Sequence, residues 1–408
     1  MGRTAATAGG LRSKENSTTV LLLTTGNWPL FAIINTSMFG TPLQDALRAQ
    51  PGNEAQPLAL AEYRGATTTA RFSDPQVEFA ALLGGCGVYD LGFRARISLT
   101  GGDRVRWLNG MVTNNIRDLA VGRGLYAFLL SPQGRILGDM FVYNPGEALI
   151  VETDRSQVEK IVATFEHYII MDDVELMNDS EKQTAIGLAG PKASAILKKA
   201  GIEVPNLQPL QMITPQCNCA CECVACTVVR GEDAQRESYE VWLAPKDVYK
   251  TWQALLAAGG IPVGSEALEM QRIVTGIPRY GVDIRERDLP QETEQMRALN
   301  FNKGCYVGQE IVERIRSRGN VHRKFTNFVV EGAAAIAAGD KIVFGKPGEG
   351  EKDVGEITSV ATLRALSGEQ TVALGYIRRE VGVTGREVTI RNIKATVVPF
   401  PIESVALV

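Results

Sequence analysis

Histidine is nearly missing from this chain: His167 and His322 are the only two in 408 residues. Mechanisms built on a histidine pair, and metal centres with several imidazole ligands, therefore have little material, and no metal site is assigned. A dominant charge is missing too. Forty-three Lys and Arg stand against 46 Asp and Glu, a formal net charge of -3. No global field draws in nucleic acid or an anionic membrane, so neither is expected as a partner and an anionic ligand must be caught locally. The apolar stretch from Val20 to Ile34 is interrupted by Asn27 and Pro29 and is too short for an ordinary membrane span. A disulfide framework is not indicated either. The seven cysteines serve a chain too large to need staples, and five of them crowd between Cys217 and Cys226, which favours a reducing, cytoplasmic setting.

What is present is a hydrophobic content of 45%, ample for packed cores, in a length that suggests about two to three domains. Arg3, Arg12 and Lys14 precede the first apolar run, as in a signal peptide, but no clear small-residue cleavage site follows. The simpler expectation is that residues before Met38 are an upstream extension from a misassigned start. Residues 50–57 are rich in Pro, Gly, Ala and Gln and read as a linker. Residues 1–57 are thus expected to be extension and linker, with the folded body starting near Leu58.

Beyond that point strands and helices alternate. ARISLT, YAFLLS, RILGDMFVYN and EALIVET read as strands, and DRVRWLNGMV and SQVEKIVATFEHYI as helices. In the second helix Val158, Ile161, Val162 and Phe165 share a face, and Ser156 with Glu159 forms a capping-box pattern. A second round follows, with TAIGLAG and SYEVWLA as strands and helices after Pro191 and around Trp252. After Arg323 only short alternating segments broken by Gly, Pro and Asp remain, the pattern of a small β-barrel over residues 323–408.

One segment carries chemistry of its own. Lys303 to Glu310 read KGCYVGQE, with IVERIRSRG following. Gly304 and Gly308 permit a tight turn, and Gln309 to Arg318 reads as a helix stopped by Gly319. Cys305 falls just ahead of that helix, where the dipole and the neighbouring Lys303 favour a thiolate. The plain alternative is a small apolar filler under a glycine turn.

KGCYVGQE closely resembles the KGC-(Tyr/Phe)-x-GQE signature of the folate-binding YgfZ/aminomethyltransferase-like family, with Lys303, Cys305, Gly308, Gln309 and Glu310 on signature positions. VYDLGFRARISLTGGDRVRWLNGMVTNNI, YAFLLSPQGRILGDMFVY and RIVTGIPRYGVDI are similar to further family blocks, in the family's order. The resemblance implies an α+β fold: two intertwined α+β folate-binding domains over residues 58–322 and a C-terminal β-barrel, in a ring-like arrangement around a folate channel. It also implies a bound tetrahydrofolate and a YgfZ-type accessory role in iron–sulfur cluster assembly or repair. The partners would then be Fe–S client enzymes or assembly factors. The alternative is a folate-dependent aminomethyltransferase of the glycine cleavage type, and whether the chain is catalytic stays open.

Site residues follow from the same resemblance. Glu240, in SYEVWLA, matches the pterin-binding glutamate; strand alternation puts it on one face with Trp242, and a solvent-facing glutamate is the alternative. Arg272, in EMQRIVTGIPRYG, matches an arginine suited to folate's carboxylates, although Val274 stands where the family usually has Glu; an ordinary helix-surface charge is the other reading. Asp283 aligns with a family Asp and is expected to hold loop geometry. Where aminomethyltransferases carry two adjacent acids, this chain has Gly138 and Asp139, so only one acid remains for acid–base work. Tyr126 and Asn114 fall on channel-lining positions, with core tyrosine and helix-end cap as alternatives. Cys305, Lys303 and Asp139 are the candidate catalytic residues; Glu240, Arg272, Tyr126 and Asn114 the candidate folate contacts. The run CNCACECVAC places Cys217, Cys219, Cys221 and Cys223 on alternate positions ahead of Cys226. It reads either as small-residue packing or as soft metal ligands, without the CxxC pairs of a persuasive zinc site.

Overall fold

The computed structural model describes residues 39–50, 58–215, 224–319, 321–346, 349–366 and 368–402. The extension before Met38 and the Cys217 to Cys223 run lie outside the described residues.

The folded body begins earlier than Leu58. Thr41 caps a helix over Pro42–Arg48, its side chain accepting from the Gln44 N–H at 3.2 Å, with Pro42 in the first turn where a missing N–H costs nothing. Gly40 bridges to Thr67, and Leu43 and Gln44 are 1% exposed. This seven-residue helix, expected from sequence to be part of the extension and linker ahead of the folded body, is too short for its periodicity to stand out beside the Pro/Gly-rich stretch that follows.

Two mostly antiparallel sheets are interleaved along the chain. The strand Gly87–Asp90 belongs to a six-stranded sheet in the order Met212–Ile213, Cys226–Arg230, Ser238–Leu243, Thr184–Ala189, Gly87–Asp90, Ile261–Val263. The chain then leaves to build a complete five-stranded sheet, in the order Arg123–Leu130, Ile136–Asn144, Leu149–Asp154, Arg94–Thr100, Glu175–Asn178, before returning at Thr184. Each sheet packs its own helices: Val158–Tyr168 lies on the five-stranded sheet through Ile161 and Phe165, and Val248–Ala257 on the six-stranded one through Trp252 and Leu255. A third cluster, with Tyr63, Leu91, Phe93, Tyr143, Ala185 and Trp242, joins the two. The segment Arg323–Val398 closes a six-stranded barrel that leaves no open edge. Helices Pro75–Gly84 and Ser265–Thr275 pack on its outer wall.

The capping box expected at Ser156 and Glu159 is not formed. A 3-10 turn, Arg155–Gln157, leads into the helix, which has no side-chain cap. Gln157 is 2% exposed and its amide is committed elsewhere, to Asp139.

Leu43→Ala is expected to destabilise the protein by about 2–5 kcal/mol, the range for truncating a fully buried leucine, as read by urea denaturation. An unchanged midpoint would show that the Pro42–Arg48 helix is not part of the core.

Candidate functional site

On the Ile136–Asn144 strand, alternation turns Asp139, Phe141 and Tyr143 to one face. Asp139 is held from three directions. The Tyr126 hydroxyl donates to Oδ2 at 2.7 Å, the Gln157 Nε2 donates to Oδ1 at 2.7 Å, and the Gln157 Oε1 accepts from the Asp139 backbone N–H at 3.0 Å. Tyr126 arrives from the adjacent strand, where it pairs in register with Phe141. Asn114 fixes it from behind: its Nδ2 donates to the carbonyls of Tyr126 and Arg297, both at 2.8 Å, and the Arg297 guanidinium lies 4.5 Å from the Tyr126 ring centre. Burial, and next the charge of Asp154, raise the Asp139 pKa, while the bonds from Tyr126 and Gln157 and the Arg94 charge hold it down. The net shift is upward, the direction that acid–base work by a carboxyl needs. Gly138 packs its bare α-carbon against Gln157 and Ile161; a Cβ there would stand 3.1 Å from Gln157 Oε1. The second acid near Asp139 is Asp154, from the next strand.

Glu240 is half-buried on the Ser238–Leu243 strand, opposite Gly187. The glycine is required: the Tyr89 ring fills the place of its side chain, and a Cβ would lie 2.0 Å from that ring. Among the described residues only the Trp242 indole N–H donates to the Glu240 carboxylate, reaching Oε2 at 2.8 Å. Burial first, and the Glu152 charge second, push the Glu240 pKa up to about 7, against the pull of Arg94, the indole N–H and Arg96.

A row of rings connects the two carboxylates. Tyr126 and Phe141 have centroids 5.1 Å apart, Phe141 and Tyr143 6.3 Å, and Tyr143 meets Trp242 edge-on at 5.1 Å, crossing from the five-stranded to the six-stranded sheet. Arginines lie along the row. Arg94 sits 5.5 Å from the Phe141 centroid and Arg96 4.1 Å from that of Trp242. Both are anchored by acids on the neighbouring strand, Arg94 by Asp154 at 2.8 Å and Glu152 at 3.2 Å, Arg96 by Glu152 at 2.7 Å. Arg64 adds a bond to Asp154 at 3.0 Å. None of Arg94, Arg96, Glu152, Asp154, Gln157 or Phe141 was singled out from the sequence. The only available signals were the alternations Arg94-Ala-Arg96 and Glu152-Thr-Asp154, which become a site once the register pairs Arg94 with Asp154 and Arg96 with Glu152.

Two expected residues are placed differently. Arg272 is 5% exposed, and its guanidinium is spent inside the protein: on Glu269, on the Ile277 carbonyl at 2.8 Å, on Asp283 at 2.6 Å and on Ser359 of the barrel at 2.8 Å. All five N–H donors are engaged, so it clamps helix, loop and barrel and has none left for a ligand carboxylate. Asp283 does hold the loop, accepting from the Arg279 backbone N–H at 2.9 Å. Lys303 turns inward instead of toward the thiol. Its ammonium, 3% exposed, donates to the carbonyls of Asn109 and Val112 at the C-terminus of helix Arg104–Met111, where a cation suits the dipole. Burial, followed by the nearby Arg117 charge, pulls its pKa down to about 7. Cys305 is exposed, on the loop before helix Gln309–Arg318. Tyr126, Asn114 and Asp139 are thus brought together, Glu240 is joined to them by the ring row, and no hydrogen bond or ion pair among the described residues ties Cys305 to the group.

Known proteins resemble the chain over most of its length. The GCVT N-terminal domain profile matches residues 47–303. An aminomethyltransferase of Rubrobacter xylanophilus is 27% identical over 377 residues, covering 91% of this chain and 96% of that protein. A putative chloroplastic transferase of Arabidopsis thaliana is 28% identical over 312 residues, 75% of this chain and 68% of the other. The solved glycine cleavage system aminomethyltransferase T from Bartonella henselae shares the fold, with a TM-score of 0.77 at 20% identity over 91% of this chain and 99% of that one.

The raised Glu240 pKa has a sign that stability measurements can read. An unfolded glutamate ionises near its ordinary value, so as pH climbs from there to about 7 the unfolded state loses its proton first and the folded state pays an increasing penalty. Glu240→Gln should therefore gain stability relative to the parent by on the order of 1–3 kcal/mol between pH 5 and pH 8. Paired denaturation curves check this; a difference independent of pH would refute the raised pKa.

Proposed function

As the chain belongs to the GCVT N-terminal domain family, we propose that it binds a tetrahydrofolate along the row of rings between Glu240 and Asp139, and that it acts as a folate-dependent aminomethyltransferase. The observation that supports this most is the pairing of one open carboxylate and one protonatable carboxyl at opposite ends of an aromatic wall. The residues fit such a ligand. Glu240 keeps an oxygen without a protein donor among the described residues, and a pterin edge offers the N–H groups to fill it. When bound, tetrahydrofolate supplies the amine nitrogens that take up the one-carbon unit. The chain's own groups do the rest. Glu240 orients the ring, Phe141, Tyr143 and Trp242 exclude water, and Asp139, whose oxygens each keep a second lone pair, holds or moves a proton at the reacting end.

A second reading, the YgfZ-type accessory role in iron–sulfur cluster assembly, is favoured by one observation: Cys305 is exposed in its KGCYVGQE loop. There the thiol, rather than Asp139, would meet the client enzyme or assembly factor.

Calorimetric titration with tetrahydrofolate, a transfer assay and an Fe–S enzyme assay together separate these. Glu240→Gln should weaken binding at least about tenfold, the loss expected for a charge-assisted pair of hydrogen bonds. Asp139→Asn should bind within a few-fold of the parent yet lose about 10²-fold or more of methylene-tetrahydrofolate and ammonia production from an aminomethylated carrier. Absence of folate binding in the parent protein would overturn the proposal. Folate binding without transfer, together with loss of Fe–S enzyme activity in a Cys305→Ala strain, would favour the second reading.

A further inference from the structure

A cavity of about 510 Å³ opens where the barrel meets the segment leading into it, and none of its lining residues belongs to the ring row. Its floor follows from sheet register. Lys341 pairs with Glu356, and Glu356 with Tyr376, so three neighbouring strands present these side chains side by side on one face. Arg287 and Glu292 from the preceding segment, together with His322, Arg323 and Arg378, complete the wall.

The cavity's acids are already answered. Glu292 accepts from Arg323 at 3.0 Å, Glu356 from Arg285 at 3.0 Å and also from Arg287, and Asp353 pairs with Lys341 at 3.5 Å. On the cationic side one group is left over. Among the described residues Arg378 makes no ion pair or side-chain hydrogen bond, although it stands directly across from Arg323 in the barrel register. A polar group is also left over at the floor. Tyr376 is 2% exposed, wedged between Phe325 and the Arg323 guanidinium, and its hydroxyl has no hydrogen-bond partner among the described residues. Buried hydroxyls in folded proteins nearly always have one.

An unpaired guanidinium and a buried, unpartnered hydroxyl beside a space of this size share one complement, an oxygen anion that accepts from both. We infer that this cavity is a second ligand site, distinct from the folate space, which takes a small molecule through a phosphate or carboxylate group held by Arg378 and the Tyr376 hydroxyl. The volume lies in the range of small-molecule sites, so the anion is the anchoring group of a larger ligand.

Titrating the full chain with inorganic phosphate and, separately, with glutarate tests this and distinguishes the two anion types. One of them should bind saturably at one site per chain. Arg378→Gln should weaken that binding about tenfold or more, and Tyr376→Phe several-fold. Both variants should keep the parent's melting temperature without ligand and its affinity for tetrahydrofolate. Arg378 is exposed and Tyr376→Phe removes only the unpartnered oxygen, so neither change threatens folding. Lack of saturable binding of either anion below about 20 mM, a millimolar threshold for any specific site, would overturn the inference. So would a Tyr376→Phe protein that binds as the parent does, because its hydroxyl would then make no contact with the anion.

Discussion

Glu152 and Asp154 sit almost wholly out of water, at 0% and 3% exposure, where an unpaired carboxylate is not tolerable. The arginines that neutralise them are Arg94 and Arg96 on the neighbouring strand of the same sheet and Arg64 from outside it, and Arg96 also lies over Trp242 of the other sheet. Breaking a buried pair of this kind typically costs about 3–5 kcal/mol, since it strands the remaining charge. The same groups act on the carboxyls at both ends of the ring row. Asp154 raises the Asp139 pKa and Glu152 raises that of Glu240, while Arg94 opposes both shifts. One electrostatic network thus ties two strands of the five-stranded sheet together and, added to burial, acts on the carboxyls at both ends of the ring row.

Much of the fold was legible before any coordinates. The strand patterns from ARISLT to EALIVET, the helix Gln309–Arg318 stopped at Gly319, and the barrel strands after Arg323 all stand where periodicity and turn residues put them. The interleaving was expected only through family resemblance, because periodicity does not say which strands pair. The Pro42–Arg48 helix escaped because its two turns are held by Thr41, Pro42 and burial of Leu43 rather than by a long amphipathic repeat. The supposed capping box at Ser156 failed for a different reason. Its neighbour Gln157 is drawn into the site, and the helix entrance is shaped around that amide.

The site itself was readable residue by residue but not as an assembly. Asp139, Tyr126, Asn114 and Glu240 are candidates by resemblance; hydrogen bonds link the first three, and the indole of Trp242, at the end of the ring row, bonds the last. Arg272 and Lys303 show how charge identity misleads without context. Each is buried and turned onto the protein's own acceptors, one clamping the barrel to its helix and the other capping Arg104–Met111. The KGCYVGQE motif therefore has a structural half and an exposed half. Lys303 pins the loop from within, Gln309 accepts from the Tyr306 N–H at 3.0 Å, and Cys305 is left facing solvent.

The central claim is that Glu240 and Asp139 are the two ends of a single site. A crystal structure of the protein with tetrahydrofolate tests it most directly. The pterin edge should lie on the free Glu240 oxygen, the ring against Phe141, Tyr143 and Trp242, and the reactive nitrogens within hydrogen-bond reach of Asp139. A ligand bound away from these two carboxylates, or touching one with its reactive nitrogens turned from the other, would contradict it.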